Sequence, residues 1–421
     1  MTINRALRLK WVMAAALAAM PMMAAAQEPT PRPQDTIEVK ALLPEPAFID
    51  RAIDFATRTM GDGGGGEKSG LYPEMSNMIT GAGWLSLGPG YRYWYSDRLF
   101  IDGSAAMSWR EYKMARGRIE FANMADRHAA VGAEVKWQDF TQNTYFGNGP
   151  DSLEANRSEY RLKSLNAVAY TNIRPVEWLT IGGRAGVLRS PTLLGPTGWF
   201  RRDIPPTATM FPDEAAFQLA EQPDFVHGEL SAMADTRDQR SHPLRGGVYR
   251  GAWTRFSDRD SGAFSFQRFE AEGAHFLSSP NNTVTVAVHG WLIASDTAET
   301  GAIPFYLMPS LGGNNTLRSF ANYRFHDRHA VVANVELRIA LMAHIDAVGF
   351  MDRGGVASRM ADLDFDKRSI GAGIRFHSKR ATFFRVDVAH GSEGWRLAVN
   401  TSDPLHLPRL SRRMAAIPFA P

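Results

Sequence analysis

The sequence predicts an all-β chain, a transmembrane antiparallel β-barrel of about sixteen strands with a short leader helix in front of it. Three observations predict this. An export signal opens the chain, hydrophobicity alternates with period two from about residue 69 onward, and the connectors between the alternating segments are short and long in turn.

The signal comes first. Arg5, Arg8 and Lys10 make a positive start, residues 11–23 are apolar apart from Pro21, and Ala24-Ala25-Ala26 offers small residues for cleavage before Gln27. This is the three-part order of a secretory signal. The apolar stretch falls short of the roughly 18 residues of a spanning helix. Residues 1–26 are therefore expected to be removed on export. Residues 27–68 form a leader. It holds Pro29, Pro31 and Pro33, an apolar patch at 37–43, an amphipathic helix over 46–60 with Phe48, Ile49, Ile53 and Phe55 as its apolar positions, and a glycine cluster at 61–66. The glycines do not form a phosphate-binding loop: Glu67 stands where Lys must follow the last glycine, and no strand precedes them.

Residues 69–402 carry the barrel pattern. Val131, Ala133, Val135 and Trp137 alternate with Gly132, Glu134, Lys136 and Gln138. Val335, Leu337 and Ile339 alternate with Asn334, Glu336 and Arg338, and Ile370, Ala372, Ile374 and Phe376 with Gly371, Gly373, Arg375 and His377. Each run is a strand with one apolar and one polar face. A soluble sandwich would alternate in the same way. The export signal, the strand lengths and the aromatic strand end Tyr91-Arg92-Tyr93-Trp94-Tyr95 favour the membrane version, in which apolar faces meet lipid and polar faces line the lumen.

Connectors at 278–282, 342–346 and 378–380 are short, whereas those at 190–223, 295–328 and 355–366 are longer. Within the 190–223 loop, 213–220 is expected to form a short helix. Residues 403–421 are a tail carrying Arg409, Arg412 and Arg413.

Composition excludes several functions. Net charge is +3, from 47 basic and 44 acidic residues, and without a clustered basic run this gives no case for nucleic-acid binding. Cysteine is absent, which excludes disulfides, thiolate metal sites and thiol nucleophiles. Asp362, Asp364 and Asp366 have the spacing of calcium-loop acids, but Lys367 and Gly373 occupy the positions of the required Gly and Glu. The eleven histidines are scattered, and His326 with His329 has no clear third ligand. No catalytic constellation emerges, and no metal or cofactor is expected.

Three segments stand out. Asp235-Thr236-Arg237 ends a strand in a polar turn followed by Pro243 and Gly246-Gly247. Leu317-Arg318-Ser319-Phe320 lies in the long loop, where Leu317 and Phe320 are too apolar for a solvated tip. Phe350-Met351-Asp352-Arg353-Gly354 lies on the second strand after that loop, with Asp352 facing the lumen if Met351 faces lipid. A loop folded into the lumen would bring Arg318 to Asp352.

In this order the three segments resemble the BamA/TamA family of outer-membrane assembly factors, also called the bacterial surface antigen family. The resemblance covers roughly 69–402. Gly371-x-Gly373-Ile374-Arg375, the closing hairpin at 384–399 and the loop Tyr145-Phe146-Gly147-Asn148-Gly149-Pro150-Asp151-Ser152 also resemble that family. Three features depart from its pattern. Ser319 replaces a preferred Gly, and Ser tolerates positive φ poorly. The leader is too short for the periplasmic POTRA domains, and a tail follows the last strand.

The resemblance implies a lumenal latch of Arg318 on Asp352, with Phe320 packed beside the pair and with Phe350 and Gly354 as its strand framework. It also implies insertion or translocation of outer-membrane proteins. The expected partners are outer-membrane lipid, lipopolysaccharide and an unfolded β-barrel or secreted client. The rival readings are a passive channel for small molecules or lipids, through a lumen lined by Glu336, Arg338, Arg375, Arg385 and Asp387, and a structural surface barrel.

Overall fold

The computed structural model describes residues 39–47, 49, 51, 69–76, 86–96, 98–212, 222–239, 242–299, 301–378, 382–400 and 405. The expected signal segment, the 213–220 helix and most of the tail lie outside them. So does most of the leader helix, of which Ala47, Ile49 and Arg51 are described and helical.

The first strands are β1 (Gly70–Ser76), β2 (Ser86–Trp94), β3 (Leu99–Ser108), β4 (Lys113–Asn123), β5 (Ala129–Tyr145) and β6 (Ser158–Val176). Then come β7 (Leu179–Leu194), β8 (Phe225–Asp235), β9 (Gly246–Asp258), β10 (Phe266–Ser278) and β11 (Val284–Thr297). Two short strands, β12 (Ser310–Leu311) and β13 (Phe325–His326), pair with each other inside the next loop. The chain closes with β14 (His329–Met342), β15 (Ile345–Ala357), β16 (Lys367–His377), β17 (Thr382–Gly391) and β18 (Gly394–Asn400). Apart from β12 and β13, all join one sixteen-stranded antiparallel sheet in chain order.

Alternation makes this sheet a barrel. On β14 and β15, Val335, Leu337 and Met351 point outward and are exposed, whereas Glu336, Arg338 and Asp352 point inward and are buried. A polar face can be buried this way only if the sheet, twisted as sheets are, curls on itself and encloses it. Outward-facing Leu, Ile, Val and aromatic side chains along the whole sheet, among them Ile119, Val135, Ile181, Leu230 and Ile370, provide the apolar band that lipid requires.

Connector lengths follow the expected rhythm. At one end the strands are joined by short turns such as 279–283 and 343–344, with 236–245 the longest. At the other end stand the long loops 146–157, 195–224 and 298–328. The leader docks at the short-turn end. Leu42 and Leu43 donate backbone N–H groups to the carbonyls of Ala340 and Leu341 at 3.0 and 2.8 Å, Lys40 donates to Asn281 at 3.0 Å, and Glu45 meets His344 at 3.0 Å. Leu405 of the tail is buried against Met233, Val248, Ala274, Phe276 and Ala287 near the same end.

Candidate functional site

The long loop between β11 and β14 folds into the lumen, because its apolar residues find a core there. Leu311, Leu317, Phe320 and Phe325 pack with Trp291, Ile293, Val332 and Val356 of the barrel wall. Phe305, Tyr306 and Leu307 join Tyr145, Tyr160, Phe256 and Phe266 in a second cluster. The long-loop end is held from above as well. Arg324 donates to the Ser152 hydroxyl and carbonyl at 2.8 and 2.7 Å and to Glu393 at 2.7 Å, and Gly149 donates to the carbonyl of His326 at 2.7 Å.

Arg318 is at the centre of this arrangement. Its Nη2 donates to Asp352 Oδ1 at 2.6 Å, its Nε to Oδ2 at 3.0 Å, and its backbone N–H to the same Oδ2 at 3.1 Å. Nη1 reaches Glu336 at 2.5 Å. Burial alone would depress the Arg318 pKa, but Asp352 and Glu336 outweigh it and raise the pKa, so the side chain stays charged. Asn334 supports Asp352 from the side at 2.8 Å, and is itself held by His289 at 2.7 Å.

The five lumen residues expected to line a polar passage are brought together here as well, but as a closed network. Arg338 and Arg375 both reach Glu336, at 2.8 and 3.2 Å, and Arg375 and Arg385 both reach Asp387, at 2.5 and 2.9 Å. Arg385 continues to the loop through the Asn314 carbonyl and the Asn315 side chain, each at 2.9 Å. Arg396 of β18 donates to the carbonyl of Phe320. The loop is thereby tied to the inner wall from β14 to β18.

The predicted latch residues therefore assemble, with one correction. Phe320 does not pack beside the ion pair; its ring sits in the apolar cluster, 5.2 Å from Phe325. The aromatic neighbour of the guanidinium is Phe350, whose ring centre lies 3.4 Å from Arg318 Cζ. Gly371 makes room for that ring, since a Cβ there would fall 2.4 Å from Phe350 Cζ. Gly354 lies under Leu311 of the loop, where a Cβ would meet Leu311 at 3.2 Å and the Val331 carbonyl at 2.7 Å.

Ser319 is explained by its backbone. It is not among the residues with positive φ, so nothing at this position requires Gly. Its hydroxyl pairs with Ser369 at 2.7 Å, and its N–H donates to the same oxygen at 3.1 Å.

The Asp235-Thr236-Arg237 turn is self-bracing. Arg237 Nε and Nη2 donate to the Asp235 carboxylate at 2.9 and 3.1 Å, and Thr236 N–H donates to the Gly247 carbonyl at 2.8 Å. Gly246 has φ +85°, and a Cβ there would fall 2.2 Å from the Thr236 carbonyl oxygen. His289, Ser369 and Arg396 were not singled out in the sequence, and Asn334 appeared there only as a polar position of its strand. Their inward position in the two-residue alternation was the available signal.

The Omp85 superfamily domain matches residues 179–390, which is 212 of the 421 residues and contains all three motif segments. No curated protein matches the chain in sequence. Among solved structures, BamA from Haemophilus ducreyi lacking POTRA domains 1–3 is similar in fold, with TM-score 0.56 and 12% identity over 84% of this chain and 78% of that one. CdiB from Escherichia coli aligns with TM-score 0.47 and 12% identity over 78% of this chain, and the chain spans 61% of its length. With half its length matched by the family's domain, the chain belongs to the Omp85 superfamily, in keeping with the BamA/TamA-like loop and strand motifs.

Proposed function

We propose that this outer-membrane barrel inserts or translocates a protein client through a seam between β1 and β18. The observation that carries the reading is the state of the two end strands. The hydrogen-bonded order runs from β1 to β18, no ladder joins those two among the described residues, and at seven residues each they are the shortest of the sixteen. Unpaired N–H and C=O groups on such edges are a template for adding a strand. A client segment of an unfolded β-barrel or secreted protein supplies one.

The latch fits this reading. Ion pairs and the inward loop hold β14 to β18 as one block, so separation is concentrated where that block ends, beside β1. In this orientation the short-turn end faces the periplasm, where the leader docks, and the long loops face outward. Outer-membrane lipid and lipopolysaccharide surround the apolar band. A resting channel for polar solutes is less well supported, because the charged lumen residues are spent on one another and on the loop.

The test is a quantitative outer-membrane proteome of a strain lacking the protein against its parent. Selective loss of one or a few barrel or surface proteins is expected and identifies the client. An unchanged profile contradicts the proposal and favours lipid or solute passage.

A further inference from the structure

At the short-turn end, away from the latch, three side chains from distant parts of the sequence meet. His242 comes from the 236–245 turn that begins with Thr236-Arg237, Asp346 from the start of β15, and His377 from the end of β16. All three are buried. Their candidate ligand atoms lie within 4.8 Å of one another, with Asp346 Oδ2 3.4 Å from His242 Nε2 and Asp346 Oδ1 3.3 Å from His377 Nε2.

We propose that His242, Asp346 and His377 bind one divalent transition-metal ion, with Zn²⁺ the best match, and that the ion staples the 236–245 turn to the ends of β15 and β16. Ligand atoms around a tetrahedral ion at roughly 2.0–2.1 Å stand about 3.3 Å from each other; each ring nitrogen lies at that separation from one of the two Asp346 oxygens, and the whole set lies within 4.8 Å. His377 is set up as a ligand. Its Nδ1 is held by the Ser378 carbonyl at 3.1 Å, which leaves Nε2 as the coordinating nitrogen. That Nε2 is buried, and its approach to Asp346 lacks hydrogen-bond geometry.

The rings of His242 and His377 stack at 3.8 Å and 11°, so at least one imidazole must rotate out of the stack for both in-plane lone pairs to converge on one ion. Two nitrogens and one carboxylate oxygen suit Zn²⁺, Co²⁺ or Ni²⁺ and are a poor match for the all-oxygen shells of Ca²⁺ and Mg²⁺. The fourth position is left to water. His344 is a further imidazole nearby, its ring centre 6.4 Å from that of His377, and it is engaged by Glu45. Arg338, the neighbouring cation, is paired with Glu336.

This inference does not depend on the client-handling reading, and its test uses binding alone. The full chain, purified without a histidine tag, stripped with chelator and folded in detergent, is titrated with Zn²⁺ by calorimetry and with Co²⁺ by visible absorption. One ion per barrel is expected, with a tetrahedral Co²⁺ band and a higher midpoint for the heat-induced shift of the folded gel band. His242→Gln, on a turn and outside the strands, should keep the barrel folded and weaken Zn²⁺ binding more than about 10-fold, since even outer-shell changes cost that much. His326→Gln should leave binding unchanged. Absence of Zn²⁺ binding, or equal binding by the parent, His242→Gln and His377→Gln, overturns the proposal.

Discussion

At the scale of single residues, Arg318 is the residue on which the inward loop turns. It is buried with two carboxylates, and its planar fork matches Asp352 in a way an ammonium cannot. Removing one partner strands the others without water. Asp352→Asn, which keeps the shape and removes the charge, should cost about 3–5 kcal/mol. The midpoint of the heat-induced gel shift reads this, and an unchanged midpoint would refute the latch. Arg318→Lys, which keeps the charge and loses the fork, should lower the midpoint as well.

His326 gives a second prediction at this scale. Burial pushes its pKa down to about 3, below the usual 6.5, so the folded loop holds it neutral while the unfolded chain protonates it. The stability it contributes is complete above pH 6.5 and is lost as pH falls from there toward 3. At about 1.4 kcal/mol per pH unit, acidification from pH 6.5 to 5 should cost about 2 kcal/mol. Denaturant midpoints at the two pH values should show this loss in the parent and not in His326→Phe.

At the scale of elements, the loop and the strands were legible to different degrees. The inner faces of β14 to β17 follow from alternation alone. The same parity that puts Asp352 in the lumen puts Phe350 beside it, two residues back on the same face, which is the signal that identifies Phe350 and not Phe320 as the ring under Arg318. Backbone angles in a loop have no such period. Nothing in the sequence says that position 319 avoids positive φ, so the exchange of Gly for Ser could not be read as compensated. The structure predicts that Ser319→Gly, a change toward the family's preferred residue, is destabilising here. It removes the hydroxyl paired with Ser369 and adds backbone freedom, for a loss of about 1–2 kcal/mol. Denaturant unfolding of Ser319→Gly beside the parent measures it, and a gain in stability would contradict this account of the loop. The meeting of His242 with Asp346 and His377 was equally hidden, because it depends on how far one turn reaches across the barrel.

At the scale of the whole molecule, the barrel combines a rigid region with two short ends. The inward loop, the ion pairs of its inner wall and the apolar clusters pack inside the lumen, whereas β1 and β18 contribute seven residues each to the sheet. Among the described residues, the docked leader and Leu405 add contacts at the short-turn end. Separation of the wall is thus expected where the fewest backbone hydrogen bonds resist it.

That expectation is the centre of the account, and the absence of native cysteine makes it directly testable. Leu71→Cys in β1 is combined in turn with Trp395→Cys, Leu397→Cys or Val399→Cys in β18, and each pair is oxidised in cells. The account predicts that a cross-linked pair folds normally but abolishes delivery of the client found in the proteome comparison, and that reduction restores delivery. Full delivery by a barrel whose β1 and β18 are covalently joined would contradict it.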